Sequence, residues 1–188
     1  MSAEGGLSQA VRSLRAFYAS TGDVAGGQGL ESLIAGAALG VSRSTWILPG
    51  RRERAVALLR GATADRLDLA RPYRVLPASG APALRALVAV GLARRNPEGA
   101  LVFLGMGSTS YGSFAEALSL SVTLGAPVRF VVSWYRGAGP FVPPLPVPPS
   151  RLAEALGLRA VVVDGRDAEA VRAAVAAGPG LIEARLGG

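Results

Sequence analysis

Apolar positions first fall at helical spacing over residues 7–19, where Leu7, Val11, Leu14 and Tyr18 lie on one side. A second helix is predicted from about Gly27 to Leu39, followed by a short extended stretch, "STWILPG". Residues 51–60 and 63–69 also read as helices, with Thr63 placed to cap the second. "ARPYRVLPASGAP" has neither period and is read as irregular. A helix over about 82–95 follows, with Leu84, Leu87, Val88, Gly91 and Leu92 on one face. "ALVFLG" and "PVRFVVS" are continuous apolar runs of strand length, and the segment 111–124 between them is a nearly all-apolar helix. That helix carries Phe114, Leu118, Leu120, Val122 and Leu124 around most of its surface, so it is either deeply buried or packed at a subunit interface. After the proline-rich connector "GAGPFVPPLPVPPS", read as extended and facing solvent or a partner, come helix 150–157, strand "RAVVVDG", helix 167–177 and strand "GLIEARL".

Apolar strands alternating with helices indicate an α/β fold, a parallel sheet with helices on both faces. The 188 residues suffice for one domain, read as a helical arm over 1–20 and the body over 21–188. Half of the residues are hydrophobic and only 18% are charged, so part of the surface is expected to meet another chain. The longest apolar stretches are too short to span a bilayer, and "MSAEGGLSQ" lacks the pattern of a signal peptide, so the expectation is a cytoplasmic protein with no membrane contact.

The residue types then remove whole classes of chemistry. The chain has no cysteine, histidine or lysine, which excludes disulfides, thiolate and imidazole catalysis, nearly every zinc site and Schiff-base formation. All twenty basic residues are arginine, a usage read chiefly as a mark of GC-rich coding. The net charge of +7 is concentrated between Arg43 and Arg74, where eight arginines face Glu53, Asp65 and Asp68. A local anion site accounts for that excess at least as well as a nucleic-acid surface, which ranks last among the readings.

One segment has the frame of a diphosphate-binding loop: "LGMGSTSYGSFAEALSLSVTLGAPVRFVVSWY", a strand end, a glycine turn, a helix and a second strand. Ligands of open parallel sheets bind at the carboxyl ends of the strands, where helix N-termini offer N–H groups, and Gly105, Gly107, Ser108 and Thr109 stand at such a place. A dinucleotide fingerprint fails here, because position 110 is serine and the next strand ends in Ser133-Trp134 without a carboxylate. The Walker pattern fails for want of a lysine.

Across nearly the whole chain from about residue 20, the sequence resembles the alpha subunit of the thiamine diphosphate-dependent decarboxylase component of 2-oxo acid dehydrogenase complexes. The likeness lies in "GQGLESLIAGAAL", which includes Gln28, in "WILPGRRERAVALLRG", in "ASGAPALRALVAVGLA", and in the glycine segment through Gly105, Gly107, Gly112, Glu116, Ala117 and Pro127. It continues in "AEALGLRAVVVDGRDAEAVRAAV" and "GPGLIEARL", with Asp164-Gly165 and Asp167. The resemblance implies a thiamine diphosphate-binding fold. It also implies a partner beta subunit, which in the family carries the cofactor-activating glutamate.

The departures fall where the family holds its metal. Met106 stands at the place of the aspartate in the family's glycine-aspartate-glycine motif, and Trp134 and Tyr135 at the place of its paired asparagines. Magnesium requires hard oxygen donors, which a thioether and an indole cannot supply. The family's active-site histidines are also missing, and its long covering loop is replaced by the run Pro140–Pro149. The expectation is therefore a degenerate, non-catalytic homologue without cofactor, acting as a structural or regulatory subunit in a homo-oligomer or with a beta-like chain. Two alternatives stay open: an active subunit using thiamine diphosphate and magnesium, or an anion- or nucleotide-binding module re-using the turn. The candidate site residues, for a vestigial diphosphate or another small anion, are Gly105, Gly107, Ser108 and Thr109 with Arg51, Arg52 and Arg54. Arg52 falls on an arginine that lies near the diphosphate in the family. Each has a plainer reading, the arginines as a solvated helix start and Ser108 and Thr109 as an ordinary cap. Trp134 and Tyr135 are read as plugs filling the cofactor's volume, or else as a stacking surface for another planar ligand.

Overall fold

The computed structural model describes residues 3–22, 29–78, 81, 83–135 and 145–187. Five parallel strands form one sheet in the order β1-β2-β3-β5-β4: β1 Trp46–Leu48, β2 Ala100–Gly105, β3 Val128–Tyr135, β4 Ala160–Asp164 and β5 Gly180–Leu186. Helices cover both faces, so the α/β class read from the apolar runs is the class observed.

The helices divide between the faces as right-handed crossovers require. The steps from β1 to β2, β2 to β3 and β3 to β4 all advance across the sheet, and they put α4 (Leu84–Ala93), α5 (Gly112–Thr123) and α6 (Pro149–Ala155) on one side. The step from β4 back to β5 reverses direction and puts α7 (Ala168–Ala176) on the other. There it joins α1 (Ala3–Thr21), α2 (Leu30–Leu39) and α3 (Val56–Arg60). Strand residues alternate between the two cores. Leu101, Phe103, Val131, Ile182 and Ala184 face the side of α1, α2 and α7. Val102, Leu104, Phe130, Val132 and Leu181 face α4, α5 and α6. The stripe predicted on α1 is real: Leu7, Leu14 and Tyr18 are buried and join the first of these cores.

Several elements differ from the sequence expectation. α2 begins at Leu30 after Gly29 in the left-handed conformation, while Gly27 and Gln28 lie outside the described residues. Residues 51–55 are turns, and helix proper begins only at Val56. Residues Ala64–Leu69 form 3-10 turns broken at Arg66 (φ −125°, ψ 23°), and Thr63 makes no capping bond from its side chain. β3 runs two residues further than predicted, through Trp134 and Tyr135. Of the proline connector, residues 136–144 lie outside the described residues. On α4 the predicted face is divided: Leu87 and Leu92 are partly buried against the core, but the rest of the buried side is made by other residues. Ala86, Ala89, Val90 and Ala93 are buried, whereas Leu84 and Val88 are 54% and 48% exposed. Small alanines allow α4 to lie close to the sheet and α5, and the larger side chains are left outside. With Tyr111, Val122 and Leu124 of the α5 segment, also exposed, this side of the molecule carries five large apolar side chains on its surface.

Candidate functional site

The segments after β1 and β2 and the end of β3 all lie at the carboxyl edge of the sheet, and they carry nearly every residue singled out from the sequence. Gly105 is paired with Ser133, so β3 projects Trp134 and Tyr135 past the end of β2, beside Arg185 and Leu186 of β5. Alternation turns Tyr135 toward the core under α1 and α2, which it packs against, and Trp134 toward the opposite face.

Arg52, in the turn after β1, reaches the end of β3 although β2 lies between the two strands. Its Nη2 donates to the Tyr135 hydroxyl at 2.8 Å, and its guanidinium carbon stands 4.9 Å from the centre of the Tyr135 ring. The main chain of the turn is held from below by α1, where the Tyr18 hydroxyl donates to the Arg52 carbonyl oxygen at 2.5 Å. Tyr18 ends the buried stripe of α1. A buried phenol needs a hydrogen-bond partner, and that was the signal in the sequence that this tyrosine was more than packing. Arg51 and Arg52 are exposed and Arg54 half-buried.

Between them lies Glu53, 5% exposed. A side chain at Gly50 would meet its Oε2 at 2.2 Å and Arg85 Nη2 at 3.2 Å, so the carboxylate and the guanidinium of α4 both press against this bare stretch of backbone. Burial pushes the Glu53 carboxyl above its ordinary value, opposed by the nearby charges of Arg52 and Arg85 and by backbone N–H groups. The same burial lowers Arg85, which also donates to the Phe103 carbonyl oxygen at 3.3 Å. Burial likewise raises the Tyr135 phenol, chiefly against Arg52, so it stays protonated near neutral pH. Glu31, buried at the start of α2, adds a further negative charge in its surroundings. Neither Glu31 nor Arg85 was among the candidates read from the sequence.

The glycine turn is a short 3-10 segment, Met106–Ser110, and α5 begins only at Gly112 behind Tyr111. Ser108 and Thr109 are buried, 4% and 1% exposed, and neither occupies the N-cap position of α5, which is Tyr111. The Thr109 hydroxyl donates to the Met106 carbonyl oxygen at 2.6 Å, and the Ser133 hydroxyl donates to the Leu104 carbonyl oxygen at 3.3 Å. The Met106 side chain is itself buried. Of the two hydroxyl groups read as phosphate donors or as helix caps, that of Thr109 is thus spent on closing the turn.

Glu183, in the middle of β5, is a second buried carboxylate, with no exposed surface. It accepts from Ser150 N at 3.2 Å and from Ser150 Oγ at 2.7 Å, and from Arg185 Nε at 3.1 Å. These bonds fix the start of α6 to the sheet. Among the described residues, no group of three or more carboxylates is disposed to hold a metal, and no helix is long and apolar enough to cross a membrane. No protein-family model matches the chain, and no curated protein matches it.

Proposed function

We propose that the chain is a non-catalytic homologue of the alpha subunit of the 2-oxo acid dehydrogenase decarboxylase component, serving as a structural or regulatory subunit of an oligomer. The observation that carries this reading is the clasp between Arg52 and Tyr135 beside the buried Met106. In the resemblance, the positions of Met106, Trp134 and Tyr135 are those of the metal-binding motif. Here they offer a thioether, an indole and a neutral phenol already bonded to a guanidinium. This donor set does not fit magnesium, which takes hard oxygen ligands in octahedral order, and so it does not fit a magnesium-held diphosphate. Arg52, placed by the resemblance near the diphosphate, is turned to tyrosine instead.

The oligomeric half of the proposal is supported by the exposed face of α4 and α5, with Leu84 and Val88 as its most exposed apolar side chains. The partner is a second copy or a beta-subunit-like chain.

Isothermal titration with thiamine diphosphate and magnesium chloride tests the first half. No saturable heat is expected, and tight stoichiometric binding would overturn the reading. Light scattering coupled to size exclusion tests the second. The wild type is expected to be oligomeric and the variant L84E/V88E dissociated but folded. A wild type that is monomeric alone and when mixed with a beta-type chain refutes it.

A further inference from the structure

A cleft of about 410 Å3 lies between α1 and the start of α7, within the size range of small-molecule sites. Leu7, Val11 and Ala168 form its apolar part, and Arg12, Arg15 and Arg166 its cationic part. Its α7 wall, residues 166–169, follows directly from β4 at the carboxyl edge of the sheet. The carboxyl edge is the side on which open α/β sheets bind ligands.

The acids around the cleft are already engaged. Asp167 Oδ1 accepts from Glu169 N and Ala170 N, at 3.0 Å each. Glu169 pairs with Arg172, whose Nε lies 2.9 Å from Oε2. Asp164 holds Arg166 through two bonds of 3.0 Å. Arg12 and Arg15, by contrast, have no hydrogen bond or ion pair among the described residues. Like charges three positions apart on a helix repel each other. α1 therefore presents an uncompensated pair to a cleft whose own carboxylates are occupied.

We propose that this cleft binds a small multivalent oxyanion, gripped by Arg12 and Arg15, with its organic body against Leu7, Val11 and Ala168. Arginine's fork suits phosphoryl and carboxylate groups alike. The site is separate from the glycine turn and does not rest on the function proposed for it.

The test is isothermal titration of the full chain, at constant ionic strength, with inorganic pyrophosphate and with citrate. One-to-one saturable binding of at least one of them is expected, weakened roughly tenfold or more in R12Q/R15Q. It should be unchanged in R95Q/R151Q, which removes the same charge elsewhere. The tighter of the two anions assigns the site to phosphoryl or to carboxylate ligands. Arg12 and Arg15 are exposed, so the variant should keep the wild-type circular dichroism and melting curve. Absence of saturable binding by the wild type overturns the proposal. So does equal weakening in both variants, which marks diffuse attraction to the net charge.

Discussion

Gly36 sets helix propensity directly against packing. It lies inside α2, where α2 crosses α7, and an added Cβ would stand 2.4 Å from the Ala168 carbonyl oxygen, 2.9 Å from Val171 Cβ and 3.1 Å from Arg172 N. Alanine is favoured over glycine in a helix interior by about 1 kcal/mol, so propensity alone predicts a stabilised protein. The atoms in the way, however, are mostly main chain of α7, and they cannot rotate aside. To reach ordinary contact the two helices must separate by about 1 Å along a crossing that is also close at Gly40, one turn on, where an added Cβ would stand 2.8 Å from the Arg172 carbonyl oxygen. Overpacking of this kind costs about 1–3 kcal/mol, and more where backbone must move. Packing therefore wins, and Gly36→Ala is expected to destabilise the protein by about 1–3 kcal/mol. In a chain of this size that is a fall in Tm of roughly 2–12 °C. Gly91 of α4 is the control. An added Cβ there meets nothing within 4 Å, so Gly91→Ala should stabilise by about 0.5–1 kcal/mol. Urea unfolding with matched m-values provides the measurement. If Gly36→Ala is as stabilising as Gly91→Ala, the close approach of α2 and α7 is wrong.

The remaining predictions concern the polar links. Tyr135→Phe keeps the ring beneath the Arg52 guanidinium but loses the hydrogen bond, for a cost of about 0.5–1.5 kcal/mol. Tyr135→Leu loses both and should cost about 0.5–1 kcal/mol more; identical urea midpoints for wild type and Tyr135→Leu would show that the clasp does not form in solution. Because the folded state holds the Glu53 proton more tightly than the unfolded chain, whose carboxyl titrates near 4.5, the contribution of Glu53 to stability is greatest below that pH. It declines as pH rises toward the raised folded value. Stability measured from pH 4 to 8 should accordingly lose this descending component in Glu53→Gln, and identical pH profiles for the two proteins contradict the assignment. Asp167→Ala removes the side chain that accepts two N–H groups at the start of α7. It is expected to cost about 0.5–2 kcal/mol and to speed amide exchange in the first turn of that helix, whereas unchanged exchange there refutes the capping role.

The sheet was legible in the sequence because its central strands are buried on both faces, and "ALVFLG" and "PVRFVVS" show this as unbroken apolar runs. The helix read at 167–177 is observed at Ala168–Ala176, with Asp167 as its cap. What the sequence does not show is which side of α4 is buried. There the tight spacing to the sheet and α5 selects alanine for the buried side and leaves Leu84 and Val88 exposed, although they share a face with the half-buried Leu87 and Leu92. At 63–69 the capping pattern was present, but the off-helical backbone of Arg66 kept the segment in 3-10 turns. The candidate site was legible as a list of residues and not as an arrangement. Arg52 and Tyr135 are separated by 83 positions, and only the strand order brings the turn after β1 toward the end of β3. The buried carboxylates followed the same rule. Glu53, Glu31 and Glu183 look like surface acids in the sequence, and nothing local to them distinguishes them from Glu116, which is exposed.

The strand order has a consequence for how the chain assembles. β4 has a single neighbour, β5, which comes later in sequence and is itself wedged between β4 and β3. Until residues 180–186 dock, the β1-β2-β3 half can pair strand by strand, while β4 and α7 have no sheet to join. Closure of the far half is thus a late event of high contact order, the kind that slows folding and leaves strand edges open meanwhile. Val131, Phe130 and Val132 of β3 form the template on which it happens, and any factor that occupies that edge early would trap the protein half-folded.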